Sequence, residues 1–201
     1  MSRVSDTKDG YGWASIALHW LSAVIVFVLW MIGSSIRSAG AAQIAALQLH
    51  TSIAASAWLL LWWRIVRRVR HGHPAATSGR ASRWLLVGKL VHYAMLVALA
   101  AMLLSGPLMV WSRGAAIHVF GLTIPAPFAA DAWFAGRMYL VHSWGGSIIA
   151  LGTALHLAGV FKHVAINRDR TLDRMLIAAK QNQPREAAHC LSARSSAART
   201  S

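Results

Sequence analysis

Four histidines in this sequence sit in stretches that are otherwise apolar: His19, His50, His142 and His156. An imidazole surrounded by hydrocarbon is costly unless something inside the protein binds it, and imidazole is among the commonest metal ligands. The last two lie in Met138–Phe161, MYLVHSWGGSIIALGTALHLAGVF, which contains no Asp, Glu, Lys or Arg. Read as a helix, the fourteen steps between them at about 100° each leave the rings roughly 40° apart on one face and about 21 Å apart along the axis. A hydrocarbon core about 30 Å thick then places one toward each leaflet. Gly146, one turn after His142, and Gly152, one turn before His156, leave space beside the rings for a flat, bulky ligand. Such a helix suits two haems at two depths.

The elements that must position these residues are membrane spans. Of 201 residues, 56% are hydrophobic and 13% charged, with a mean hydropathy of +0.47, whereas a soluble domain carries about a quarter charged residues. Four spans are predicted: Trp13–Ile36 with His19, Ile44–Trp63 with His50, Trp84–Trp111 with His92 about two turns in, and Met138–Phe161. The first is too long for a signal-peptide core and lacks a cleavage pattern. Arg64–Arg83 carries Arg64, Arg67, Arg68, Arg70, Arg80 and Arg83 with no acid, and Gly72, Pro74 and Gly79 punctuate it as a loop. Gly106-Pro107 is placed to kink the third span, and Ser112–Gly136 reads as a second loop. A basic, partly amphipathic stretch, Lys162–Lys180, precedes a Ser/Ala/Arg-rich tail whose composition predicts disorder. The expected fold is therefore all-α: an integral membrane four-helix bundle over residues 13–176, with a cytoplasmic segment at 1–12 and a cytoplasmic tail at 177–201.

Charge placement orients the bundle. The net charge is +14, which could serve nucleic acid, but the basic residues lie in loops and tails between apolar spans. Seventeen of them fall on the side of the termini, against Arg37, Arg113 and Arg137 on the other. By the positive-inside rule both termini are expected to be cytoplasmic. The single cysteine, Cys190, excludes an internal disulfide and a Cys-x-x-Cys-His attachment site, so any haem is held non-covalently.

With that orientation two pairs stand at matched depth: His19 with His156 inside, and His50 with His142 outside. Ala23 and Ala54, each one turn past a histidine, keep those walls small. Each pair could grip one iron from both faces, the arrangement of bis-imidazole b-type haem. One histidine alone in a membrane helix is as readily a hydrogen-bonded core residue. Zinc or iron transport is the rival metal reading, but it would recruit carboxylates, and none of the six acids falls in a span.

Several short motifs resemble the bacterial cytochrome b561 family. They are Leu18-His19-Trp20, His50 early in the second span, Arg113-Gly114 followed by Phe120-Gly121-Leu122-Thr123-Ile124-Pro125, the His142/His156 spacing, Lys162-His163, and Asp169-x-x-Leu172-x-Arg174-Met175. The resemblance covers about Tyr11 to Leu176. Where the family often has a second histidine after the Lys-His pair, this chain has Val164. The resemblance implies a four-span cytochrome with two haem b groups that passes electrons to or from membrane quinone, ubiquinone above all. Some members act as superoxide oxidases, moving an electron from periplasmic superoxide to ubiquinone. An electron-relay subunit serving a separate dehydrogenase or hydrogenase would use the same haems.

Two functional residues beyond the ligands are expected. Arg113, with Arg37 and Arg137, could steer an anionic donor at the outer face. His163, seven residues past His156 and so on nearly the same helical face, could hydrogen-bond a quinone carbonyl or carry its proton. His92 is the second candidate for that task. His118, in the outer loop, has no assigned role.

Overall fold

The computed structural model describes residues 11–71, 83–168 and 172–177. The segment before residue 11, the loop carrying His73 and Arg80, and the tail with His189 and Cys190 lie outside the described residues.

Among the described residues four helices are long and apolar enough to cross a membrane: α1 (Trp13–Ser35), α2 (Gln43–His71), α3 (Arg83–Trp111) and α4 (Ala132–Phe161). Two short helical turns, Ile36–Ser38 and Gly40–Ala42, join the first two. The helix pairs α1–α2 and α3–α4 pack closely, whereas α4 has little backbone contact with α1 or α2. Close packing of α3 on α4 depends on missing side chains. A Cβ on Gly145 would stand 2.6 Å from Met102 Cγ, and one on Gly152 would stand 2.6 Å from Met95 Cγ. The space expected beside His156 at Gly152 is thus filled by Met95, and a Cβ on Gly146 would stand an ordinary 3.8 Å from Met102 Cε. Gly145 and Gly152 thereby admit the neighbouring helix α3.

Leu61 of α2, Leu96, Leu99 and Leu103 of α3, and Ile149 of α4 form the main apolar cluster. Its edge contains an exchange of hydrogen bonds. Pro107 lies inside α3 and has no N–H to give the carbonyl four residues back. That carbonyl, Leu103 O, accepts instead from the indole Nε1–H of Trp58 on α2, at 3.0 Å. The proline predicted to kink the span therefore also ties two helices together.

The second span continues beyond Trp63 as helix to His71, so Arg64, Arg67 and Arg68 are helical rather than part of a loop. Arg64-Ile-Val-Arg-Arg-Val-Arg70 contains no glycine or proline to stop it, and Ile65 is buried. The fourth helix likewise starts earlier than Met138, at Ala132, because Asp131 caps it: its carboxylate accepts from Phe134 N at 3.0 Å.

The loop between α3 and α4 holds a small antiparallel hairpin, β1 (Ile117–Val119) and β2 (Leu122–Ile124). Phe120 and Gly121 form its two-residue turn, both at positive φ (45° and 96°), the backbone sense that matches a twisted hairpin. Ser52, buried on α2, ties the hairpin down by donating to His118 O at 2.9 Å and accepting from Phe120 N at 3.4 Å.

The opposite end is clasped by the termini of the domain. Beyond α4 the chain makes a π turn, Lys162–Asn167, and then a short helix, α5 (Asp173–Leu176). The Trp20 indole N–H donates to Met175 O at 2.9 Å, and Met175 packs on Tyr11 and Ile16. Arg67 reaches Ser15 Oγ at 3.1 Å and Arg68 reaches Tyr11 Oη at 3.0 Å, fastening α2 to the same end.

Candidate haem-binding site

The histidines expected to pair do face one another. At the hairpin side, His50 of α2 and His142 of α4 have ring centroids 6.3 Å apart; at the termini side, His19 of α1 and His156 of α4 have centroids 6.4 Å apart. Two rings trans on one metal, with metal–nitrogen bonds of about 2 Å and each ring centre roughly 1.1 Å further out, stand about 6.3 Å apart. Each pair also spans helices whose backbones are not closely packed, which is where a planar group would lie. Among the described residues no cluster of three or more His, Cys, Asp or Glu is placed to hold a metal ion. A pair of imidazoles supplies only two ligands, so the remainder must come from the bound group, as the porphyrin nitrogens of haem would provide.

The hairpin-side pair is ready for ligation. His50 and His142 each turn their Nδ1–Cε1 edge toward a glycine on a neighbouring helix, Gly33 of α1 and Gly106 of α3. Cβ atoms there would stand 3.1 Å and 3.3 Å from the ring Cε1 atoms. His142 Nδ1 lies 3.3 Å from Ser105 Oγ; in the tautomer that frees Nε2 for iron, Nδ1–H donates to that oxygen. His50 Nδ1 is buried without a hydrogen bond of standard geometry, the carbonyl of Leu29 being its backbone neighbour.

The termini-side pair has the spacing but not yet the tautomer. Arg64 Nη2 donates to His19 Nδ1 at 3.2 Å. Guanidinium has only donors, so this contact places the imidazole proton on Nε2. Ligation through Nε2 requires the opposite tautomer and hence a different acceptor for Arg64. His92 of α3 packs its ring edge-on against His156, with centroids 4.8 Å apart and planes at 88°. That is too close for the two rings to be trans ligands of one metal. His92 Nδ1 donates to Gly88 O at 2.9 Å.

The other expected residues are more dispersed. Arg113, just beyond α3, is exposed and lies 6.0 Å from the ring centre of Tyr139, one turn before His142. Arg137 is exposed over Trp133 at 5.1 Å; the Arg37 side chain lies outside the described residues. His163 is half-buried in the π turn, its Nδ1 3.3 Å from Asn167 Nδ2. The wider i→i+5 turn ends the 100° grid at Phe161, so angular arithmetic from His156 does not reach His163. His118 is exposed and pairs with Thr123 across the hairpin at 3.2 Å. Sequence reasoning missed Arg64, Ser105, Gly33 and Gly106 as neighbours of the rings. Only Gly106 carried a signal, and it was masked by the adjacent proline.

Comparison with known proteins identifies the family. Residues 10–177 match the family described as prokaryotic cytochrome b561. The chain is also 33% identical over 181 residues to cytochrome b561 homolog 2 of Escherichia coli (strain K12), an alignment covering 86% of this chain and 94% of that protein.

Proposed function

This chain belongs to the prokaryotic cytochrome b561 family of haem-binding membrane electron-transfer proteins, and we propose that it holds two haem b groups and joins a periplasmic electron donor to the membrane quinone pool. The observation that carries the reading is the pair of matched spacings, 6.3 Å for His50/His142 and 6.4 Å for His19/His156. Bound between His50 and His142, or between His19 and His156, each haem would supply a one-electron ferric/ferrous couple, and a ring on each side would favour electron transfer over oxygen binding.

In this proposal His50 and His142 hold the periplasmic haem, and His19 and His156 hold the cytoplasmic one. Arg113 and Arg137, exposed at the hairpin side, draw an anionic donor toward the first. Superoxide is the donor favoured by their charge: two superoxide ions give up two electrons and become two dioxygen molecules. Ubiquinone takes those two electrons, with two protons from the cytoplasmic side, to form the quinol. His163 hydrogen-bonds the quinone or relays its protons. His92, in ring contact with His156, is the alternative for the same task. Both termini are cytoplasmic, on the strength of the seventeen-to-three distribution of basic residues, and the membrane is the inner membrane, as suits a prokaryotic family.

The test is a haem-to-protein ratio of two on purified material, with a reduced b-type spectrum, followed by quinone reduction with superoxide and no partner protein. Two haems without that activity would favour a relay subunit of a separate dehydrogenase. A colourless protein from haem-replete cells would sink the proposal.

A further inference from the structure

We propose that Arg64 makes the termini-side haem the higher-potential member of the pair, so that electrons are drawn from the hairpin side toward the termini side. The inference rests on the two-haem reading above. Arg64 Nη2 lies 3.2 Å from His19 Nδ1, and the His19 ring stands beside that of His156, which His92 meets edge-on. Arg68, one turn further along α2, adds charge of the same sign. Among the described residues no carboxylate pairs with Arg64: Asp131 caps α4 at the far end of the bundle, and Asp173 lies on α5.

The hairpin-side pair has neutral neighbours instead. Ser105 stands beside His142, and Gly33 with the Leu29 carbonyl stands beside His50. The cations at that end, Arg113 and Arg137, are exposed and lie over Tyr139 and Trp133, where solvent and salt screen them.

Reduction removes one positive charge from an iron, and a fixed cation nearby favours the reduced form. Arg64 is half-buried within a membrane span, where screening is weak. A unit charge at such range biases the electron's distribution between the two sites on the order of tenfold or more. Charge would balance simply: an iron held by His50 and His142 would give up one electron, ferrous to ferric, and one held by His19 and His156 would take it, ferric to ferrous. No bond forms or breaks and no proton moves. Release of His19 Nδ1 on ligation does not remove this bias, because α2 keeps Arg64 at the end of the bundle that holds His19.

Optically monitored redox titration of single-haem proteins tests this. His50→Ala keeps the termini-side haem and His19→Ala keeps the other. The expected result is a higher midpoint in His50→Ala than in His19→Ala. Adding Arg64→Gln to His50→Ala should lower its midpoint by the equivalent of about tenfold in the reduction equilibrium, and Arg64→Lys should recover most of the shift. A reversed order of midpoints, or an unchanged midpoint with Arg64→Gln, overturns the proposal. If Arg64→Gln sheds its haem, the order of the two single-haem proteins still decides. Wild-type protein holding fewer than two haems defeats the two-haem reading itself, and is recognised before any Arg64 variant is made.

Discussion

Gly33 of α1 stands against the ring of His50 on α2, so close that a Cβ in place of its hydrogen would lie 3.1 Å from His50 Cε1. Gly106 of α3 has the same relation to His142, at 3.3 Å. Each hairpin-side ring is thus set by a glycine on a helix that contributes no ligand to that pair. Helix backbones can approach this closely only where side chains are absent.

Gly33→Val should therefore push His50 from its position opposite His142 and lower occupancy of the hairpin-side haem. The haem-to-protein ratio should fall from two toward one, with Gly106→Ala giving a smaller loss because its contact is looser. A Gly33→Val protein that retains both haems at full occupancy would show that the glycine does not set the ring.

Substitution of the ligands themselves should separate the two sites. His142→Ala is expected to strip the hairpin-side haem and leave the termini-side haem bound, since His19 and His156 are untouched and His156 lies about 21 Å further along the same helix. His156→Ala should do the converse. The check is haem stoichiometry and the reduced spectrum of each purified variant; simultaneous loss of both haems from either one argues against independent sites.

His92 and His163 offer a contrast in the quinone reaction. Neither is placed to ligate iron opposite a paired ring: His92 sits 4.8 Å from His156, and His163 lies in the π turn beside Asn167. Both His92→Ala and His163→Ala should keep two haems and a near-normal spectrum. Steady-state quinone reduction should fall about tenfold or more for the one that meets the quinone, in the range typical of a lost proton-transfer group. Equal, wild-type rates from both variants would remove the quinone from this end of α4.

Much of this architecture was legible because lipid imposes simple rules. Four apolar runs, four histidines within them and one-sided basic loops suffice to place spans and pair rings by depth. What escaped was lateral packing. The glycines on α4 looked like space for a ligand because a sequence shows the missing side chain but not which neighbour fills the gap; Met95 and Met102 fill it. Arg64 looked like loop because charges rarely sit in spans, yet α2 continues through it and sets it against His19. The hairpin had a readable cue, Phe120-Gly121 between Ile117-x-Val119 and Leu122-x-Ile124, a two-residue turn flanked by β-formers. It was overshadowed by the prolines that follow.

The Trp58–Leu103 contact makes a prediction about stability rather than chemistry. Trp58→Phe keeps most of the apolar area but removes the N–H that satisfies Leu103 O, which Pro107 leaves without its helical donor. An orphaned carbonyl in a span costs about 1–3 kcal/mol, and thermal unfolding in detergent should show a loss of that order. The cause can be isolated. Pro107→Ala restores a backbone N–H four residues after Leu103, so Trp58→Phe should cost much less in that background than alone, a coupling that a double-mutant cycle reads directly. Additive losses in the two variants would mean that the indole stabilises the bundle by packing, and that the proline's missing donor is irrelevant to it.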